Sequence, residues 1–171
     1  VDGHKPQLGN AADAQEVVDA VRSRPFVVTT VEKKQRRKKP GAPFTTSTLQ
    51  QEAAKKLGFS SRRTMGVAQS LYEGMDVGED GPVGLITYMR TDSVRVSDTA
   101  IASVRDFIGK QYDKRYLPES PNTYSTRKAA RTQDAHEAVR PTDVTRRPEK
   151  LQRYLEPDQY RLYQLIWQRF V

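Results

Sequence analysis

The sequence predicts a mainly α-helical fold with a few short β-strands. Apolar residues recur every three or four positions in several stretches that begin near Ser or Pro, which is typical of capped helices. Short β-branched or alternating runs lie between these stretches and are typical of strands. With 171 residues, the chain can bury one sizeable core or parts of two domains that meet there.

The first forty residues predict a short helix, a strand and a basic hinge. Three valines lie close together in residues 14–21, and the β-branched run at 26–31 is typical of a strand. In residues 33–39, six of seven side chains are basic, and Pro40 follows, which breaks a helix. These charges either stay solvated or hold phosphates near an active site, and the composition leaves both interpretations open.

Two consecutive helices are predicted next. Ser47 and Gln50 have the spacing of a capping box, and Gly58 is expected to end the first helix. Ser60 or Ser61 then caps the second helix. Its apolar stripe consists of Met65, Ala68, Leu71 and Tyr72. Helix, turn, helix and strand in this order resemble a winged helix-turn-helix, although most helix pairs only pack against each other.

Residues 84–93, with the sequence GLITYMRTDS, contain the main candidate for chemistry and are called the Tyr88 segment below. If they form a strand, the alternation of side chains makes Tyr88 and Arg90 neighbours on one face. That face carries Ile86, Tyr88, Arg90 and Asp92, and the other carries Leu85, Thr87, Met89 and Thr91. A phenol is a weak nucleophile at neutral pH, and a guanidinium can stabilise both a phenolate and a phosphate. The pair is compatible with phosphoryl transfer, but the two residues by themselves favour the ordinary packing of a half-buried strand beside a surface Arg.

Two more helices are predicted towards the end of the chain. Ser97 caps one that is expected to run until Pro118, with an apolar face of Ile101, Val104, Ile108 and Tyr112. Residues 118–131 are polar and basic, and we expect a loop. Its charges either lie across the face that carries Tyr88 or stay solvated. Pro157 starts the last helix. Its aromatic face, expected to be core, consists of Tyr160, Tyr163, Trp167 and Phe170.

The charge of the chain favours a polyanionic partner without requiring one. The formal net charge is +8 at pH 7 and the isoelectric point is about 9.8, but basic surfaces also serve solubility. The absence of Cys removes disulfides and thiolate metal sites and fits a reducing compartment. No apolar run reaches the roughly 20 residues that span a bilayer, so we expect a soluble cytoplasmic protein without a membrane partner.

Three blocks of the sequence resemble type IA DNA topoisomerases. The Tyr88 segment closely resembles the active-site signature of that family. Residues 43–51 (PFTTSTLQQ) and 135–141 (AHEAVRP) are similar to two further family blocks, in the expected order around the tyrosine. Met89 after the tyrosine is typical of the bacterial topoisomerase I branch. The resemblance runs from about residue 15 to the C-terminus and implies an internal fragment of a longer enzyme.

The resemblance implies a division into three parts. Residues 1–40 correspond to the edge of an arch-shaped domain and a basic hinge. Residues 41–145 correspond to the gate domain, which has a winged-helix or CAP-like fold and carries the tyrosine. Residues 146–171 return into the arch domain and end in a truncated helix. The Toprim domain, whose acidic cluster binds Mg²⁺ in the family, is not found in this sequence.

The resemblance also implies a reaction. Tyr88 attacks a phosphodiester of single-stranded DNA and gives a 5′-phosphotyrosine, which permits strand passage and relaxation of negatively supercoiled DNA without ATP. Arg90 stabilises the phosphate. Supporting or DNA-binding roles fall to Gln69, Glu73, Thr87, Thr91, Asp92, His136 and Arg140. We expect no metal or cofactor in the fragment, Mg²⁺ in the complete enzyme, no activity of the fragment alone, and work on the bacterial nucleoid with the missing domains.

Several roles stay open at this point. Glu73 either orients Arg90, contributes to the interface with an absent domain, or is an ordinary surface residue. Arg140 either holds DNA or braces its loop. Two other classes also compete with a topoisomerase: a non-catalytic winged-helix DNA binder that reads DNA through Arg62 and Arg63, and a basic scaffold that binds protein. Neither of these two classes explains the Tyr88 segment.

Overall fold

A computed structural model describes residues 8–36, 39–78, 81–124 and 136–171. The chain divides into two compact units, Val1–Lys39 and Pro40–Val171. The division falls at the end of the predicted basic hinge. The assignment of these parts to an arch and a gate domain stays a prediction. Two residues of the hinge, and the basic residues at 127, 128 and 131, lie outside the described residues.

The first unit contains one helix, α1, at Ala11–Arg22. Asn10 caps it, because its side chain accepts a hydrogen bond from the Asp13 amide at 2.9 Å. The strand predicted at 26–31 is wrong for the described part of the chain, where these residues belong to no strand. Phe26 and Val28 are 86% and 80% exposed. A β-branched run needs a neighbouring edge to become a strand, and the described residues offer none.

The second unit begins with the helices α2 at Thr46–Leu57 and α3 at Ser61–Glu73. Thr45, rather than the predicted Ser47, is the N-cap of α2, and its capping box is completed by Thr48. Thr45 has the extended backbone of a cap, whereas Ser47 already lies in the first turn. Gly58 ends α2 in the left-handed conformation (φ 71°), as predicted.

A small antiparallel sheet follows α3. Strands β1 at Met75–Asp76 and β2 at Pro82–Val83 pair with each other. The predicted mainly helical class with short strands is therefore confirmed, while the winged-helix assignment stays a prediction. The Tyr88 segment is not a regular strand, and only its Ile86 forms an isolated bridge, with Pro141.

The remaining elements are helices. Helix α4 spans Asp98–Gln111 with Ser97 as its N-cap, so it ends earlier than predicted, and a 3-10 turn at Lys114–Tyr116 precedes Pro118. Helix α5 spans Pro148–Leu151. Helix α6 spans Pro157–Phe170 and begins where the sequence predicts.

The core of the second unit forms where α3 packs against α2 and α6. Tyr163 and Trp167 of α6 are buried and hydrogen-bonded: the Tyr163 hydroxyl donates to the Arg146 carbonyl at 2.6 Å, and the Trp167 indole donates to the Val144 carbonyl at 3.0 Å. Burial raises the pKa of the Tyr163 phenol. The aromatic core is confirmed for these two residues. Residues 146–171 pack within this unit, and their return to an arch domain stays a prediction.

The end of α3 lies directly against the start of the Tyr88 segment. The Leu85 amide donates to the Leu71 carbonyl at 2.7 Å. A Cβ atom at Gly84 would lie 2.6 Å from the carbonyl oxygen of Tyr72, which is closer than real Cβ atoms approach. Only glycine therefore permits this approach of backbone to backbone.

A second connection joins α4 to residues 136–142, called the His136 segment below. Glu137 accepts hydrogen bonds from the Ser97 amide and from the Arg140 guanidinium, both at 2.6 Å. Burial raises the pKa of Glu137, but the hydrogen bonds from Ser97 and Arg140 outweigh it, so the pKa lies below the ordinary value of 4.5. The charged form of Glu137 therefore stabilises the fold.

Replacement of Gly84 by Ala is expected to lower the free energy of unfolding by about 1–3 kcal/mol, because a backbone oxygen cannot move aside as a side chain can. The control is Gly66→Ala on α3, where a Cβ meets no atom within 4 Å. That substitution should stabilise the protein by about 0.5–1 kcal/mol. Urea denaturation measures both changes, and an unchanged stability of Gly84→Ala would contradict the close approach.

Glu137→Gln is expected to lower the free energy of unfolding by about 1–2 kcal/mol at pH 7, because it leaves the Arg140 guanidinium without its anion. The folded pKa of Glu137 is depressed, so its stabilisation is fully present above pH 4.5 and is lost as the pH falls through the folded value. The difference between the two proteins should shrink at acid pH. Glu149→Gln, at an exposed carboxylate, is the control and should change little. An equal difference at all pH values would contradict the assignment.

Candidate active site

The hydroxyl of Thr87 attaches the residue before Tyr88 to the His136 segment. It donates to the Ala138 carbonyl at 2.7 Å and accepts from the Arg140 amide at 3.0 Å. The Thr87 amide also donates to the Arg140 carbonyl at 2.9 Å. Thr87 therefore binds the backbone of the His136 segment through both its hydroxyl and its amide. These hydrogen bonds fix the position of the residue before Tyr88.

A second threonine, Thr46 at the start of α2, holds the chain on the other side of Tyr88. Its hydroxyl donates to the Met89 carbonyl at 2.7 Å and accepts from the Thr91 amide at 2.8 Å. The Thr46 amide donates to the Thr91 carbonyl, also at 2.8 Å. Tyr88 thus lies between two hydrogen-bonded positions, at Thr87 and at Met89.

The side chains of the Tyr88 segment alternate between solvent and core even though the segment is not a strand. Met89, Thr91 and Ser93 are buried, and Tyr88, Arg90 and Asp92 are exposed. The separation of Met89 and Thr91 from the other three agrees with the predicted alternation, which did not say which face is buried. Ile86 departs from the prediction, because it is fully buried and pairs with Pro141. Its apolar side chain joins the core before the segment turns towards solvent.

The candidate nucleophile is accessible. Tyr88 is 42% exposed, and in the described part of the chain its hydroxyl makes no hydrogen bond. Its ring lies edge-on to Tyr72, with the ring centroids 5.3 Å apart and the planes at 62°. Within the same described residues, the exposed guanidinium of Arg90 has neither an ion pair nor a hydrogen bond, so it is available to an anion.

Helix α3 contributes two of the predicted supporting residues. The Gln69 amide donates to the Glu73 carboxylate at 2.6 Å, as their spacing of four residues allows. Glu73 does not pair with Arg90 in this structure, so its role as a partner of Arg90 stays a prediction. Both residues flank Tyr72 on the last turns of α3.

The His136 segment contributes the other predicted residues. His136 is exposed and precedes by two residues the Ala138 carbonyl that binds Thr87. Arg140 is engaged within the protein: its guanidinium binds Glu137 and also donates to the Pro141 carbonyl at 2.9 Å. These contacts support the bracing role for Arg140 over the DNA-binding one.

Thr91 and Asp92 have opposite positions. Thr91 is 8% exposed, and its hydroxyl accepts from the Ser93 amide at 3.0 Å. Thr91 is therefore a support for the backbone. Asp92 is exposed, on the same side of the segment as Tyr88 and Arg90.

Sequence reasoning missed two residues of this site. Thr46 was only part of a family-like block, and nothing in its spacing shows that it binds residues 43 and 45 positions away. The helical spacing predicts Tyr72 in the apolar stripe of α3, but it is 40% exposed and contacts Tyr88 instead. The prediction that Tyr72 belongs to the buried stripe is wrong, because Tyr72 lies at the end of α3, where core residues no longer cover the helix.

The winged-helix alternative relied on free basic residues on α3. Arg63 is not free: its guanidinium binds Asp158 of α6, with the Nε atom 2.6 Å from the carboxylate, and stacks over Phe59 at 4.6 Å. Arg63 therefore helps to join α3 to α6. Arg62 is exposed.

In the part of the chain that the structure describes, no three His, Asp or Glu side chains come together in a way that could hold a metal ion. Within the same residues, no helix has both the length and the apolar character needed to cross a membrane.

Comparison with known proteins places these features in a family. A family model described as DNA topoisomerase matches residues 2–171. DNA topoisomerase 1 of Rickettsia felis is 51% identical over 162 residues, which cover 95% of this chain and 21% of that protein. DNA topoisomerase 1 of Xylella fastidiosa (strain 9a5c) is 50% identical over 161 residues, which cover 94% of this chain and 20% of that protein. The chain thus spans about a fifth of the length of these relatives.

A solved structure agrees with the sequence relatives. Full-length topoisomerase I from Thermotoga maritima matches with a TM-score of 0.70 and 43% sequence identity, over 90% of this chain and 24% of that one. The family model, the sequence relatives and the solved structure all identify the same family. The chain belongs to the DNA topoisomerase family, in the bacterial topoisomerase I branch of its type IA class.

Proposed function

We propose that Tyr88 is the nucleophile of a type IA topoisomerase and that it cuts one strand of DNA. The observation that carries this proposal is the exposed Tyr88 hydroxyl, which has no partner in the described residues and lies on a segment that Thr87 and Thr46 hold on both sides. A nucleophile must be accessible and fixed at once, because misplacement by a fraction of an ångström lowers the rate of reaction.

The proposed reaction is a transesterification. The Tyr88 oxygen forms a bond to a backbone phosphorus of single-stranded DNA and gives up its proton to solvent. The bond from phosphorus to the 3′ oxygen breaks and this oxygen takes up a proton from solvent, so that a 3′ hydroxyl and a 5′-phosphotyrosine result. Another strand then passes through the gap, and the 3′ hydroxyl attacks the phosphotyrosine to restore the DNA. The number of ester bonds stays constant, so relaxation of negatively supercoiled DNA needs no ATP.

Arg90 is the proposed partner of the phosphate. Its guanidinium is exposed, unpaired within the described residues and two positions from Tyr88, on the side that faces solvent. A guanidinium there stabilises negative charge on the phosphate and on the phenol oxygen as the proton leaves. His136 and Asp92 are proposed to contact the substrate, while Thr87, Thr91 and Arg140 act through the backbone.

Other parts of the reaction are proposed to lie outside this segment. The described residues do not fit a metal ion, so Mg²⁺, which the family implies for the complete enzyme, is assigned to none of them and to no step here. We expect the segment alone not to relax DNA, because its relatives are about five times longer and contribute further domains. The proposed place of action is the bacterial nucleoid, on single-stranded regions.

Tyr88→Phe tests the nucleophile in a full-length enzyme that carries this segment. The substitution removes one oxygen atom, so we expect complete loss of the covalent DNA adduct with fold and most DNA binding retained. The adduct is measured by electrophoresis of a labelled oligonucleotide under denaturing conditions. Tyr116→Phe, at a tyrosine that is 64% exposed on the 3-10 turn, is the control and should form the adduct normally. An adduct in Tyr88→Phe would refute the assignment.

Arg90→Ala tests the phosphate contact through the salt dependence of binding to single-stranded DNA. The logarithm of the affinity should fall linearly with the logarithm of the salt concentration, by about 0.7 per neutralised phosphate. We expect Arg90→Ala to lower both the affinity and this slope, and Tyr88→Phe to leave the slope unchanged because the phenol is neutral at pH 7.

The control for this experiment is Lys150→Ala, which removes an exposed charge outside the candidate site. Fluorescence anisotropy of a labelled oligonucleotide at several salt concentrations measures all four proteins. A slope that Arg90→Ala and Lys150→Ala change equally would mean that general charge, and not a contact at Arg90, holds the DNA. A clear preference for blunt duplex would contradict the choice of a single strand as substrate.

A further inference from the structure

Tyr72 lies against the proposed nucleophile but has no part in the reaction as described so far. The two rings meet edge-on at 5.3 Å, and both side chains are partly open to solvent, at 40% and 42% exposed. We infer that Tyr72 is a positioning residue, whose ring holds the Tyr88 side chain in the orientation that attacks phosphorus. This inference rests on the proposed function of Tyr88.

The backbone of Tyr72 is itself held at a set distance from the Tyr88 segment. The neighbouring Leu71 carbonyl accepts from the Leu85 amide at 2.7 Å, and there is no room for a side chain between Gly84 and the Tyr72 carbonyl. Helix α3 and the start of the Tyr88 segment therefore meet without a gap. Because Thr87 and Met89 are hydrogen-bonded as well, the freedom that remains to Tyr88 is rotation of its side chain.

Rotation of an exposed tyrosine is fast, and the neighbouring ring is what restricts it. Exposed side chains change rotamer within picoseconds to nanoseconds. An edge-to-face ring pair prefers a narrow range of positions, and this preference raises the population of one orientation. In the structure, Tyr72 is the ring that the described residues place against Tyr88. A higher population of the attacking orientation increases the cleavage rate without any change in DNA affinity.

The ring of Tyr72, and not its hydroxyl, carries this effect. The hydroxyl forms no hydrogen bond in the residues that the structure describes, so nothing there depends on its proton. This separates positioning from acid-base catalysis. Phenylalanine retains the ring edge and should replace Tyr72, whereas leucine keeps apolar bulk but lacks an aromatic ring.

The experiment measures single-turnover cleavage of a labelled single-stranded oligonucleotide by the full-length enzyme that carries this segment, at saturating enzyme. Tyr72→Ala and Tyr72→Leu are expected to lower the cleavage rate by roughly two- to tenfold, the range that an aromatic pair provides. Tyr72→Phe should retain the rate. The dissociation constant for the oligonucleotide and the shape of the pH profile should be the same in all variants. Tyr116→Ala, at an exposed tyrosine paired with Tyr112, is the control.

Several results would overturn the inference. These are a normal rate in both Tyr72→Ala and Tyr72→Leu, an equal loss in Tyr72→Phe, a weaker affinity with an unchanged saturated rate, or a shifted pH profile. Tyr72→Leu keeps the test valid if Tyr72→Ala fails to fold, which circular dichroism detects. Failure of the proposed function is a separate result, because it would appear as a covalent adduct in Tyr88→Phe, whatever the Tyr72 variants do.

Discussion

The need of buried backbone groups for hydrogen-bond partners governs this structure. The Tyr88 segment crosses the unit as an irregular extended chain, without a sheet to supply those partners. Single backbone bonds to Leu71, Thr46 and Arg140 supply some of them. Threonine hydroxyls add others: Thr46 binds two backbone groups of the Tyr88 segment, and Thr87 binds two of the His136 segment. A hydroxyl can donate and accept at once, so each threonine joins two stretches of chain that are distant in sequence.

This arrangement unites the three family-like blocks of the sequence. Block 43–51 contributes Thr46 to the Tyr88 segment, which in turn binds the His136 segment through Thr87. A third connection joins the His136 segment directly to block 43–51: the Val139 amide donates to the Phe44 carbonyl at 2.8 Å. The blocks are thus joined to one another by hydrogen bonds.

The candidate site residues fall into two groups, one buried or bound within the protein and one exposed. Side chains that face inwards, such as Thr91, support the backbone, and Arg140 is held by Glu137. Side chains that face solvent, namely Tyr88, Arg90 and Asp92, are accessible.

The sequence by itself determined the mainly helical class, the N-cap of α3 as Ser60 or Ser61, the N-cap of α4 at Ser97, the end of α2 at Gly58 and the common face of Tyr88 and Arg90. These follow from local preferences and from side-chain alternation, which act over a few residues. The tertiary structure alone decided that residues 26–31 are no strand in the described chain, that Thr46 supports the site, and that Tyr72 lies against Tyr88. Each of these depends on which distant stretch of chain comes to lie beside the residue, and no local pattern carries that information.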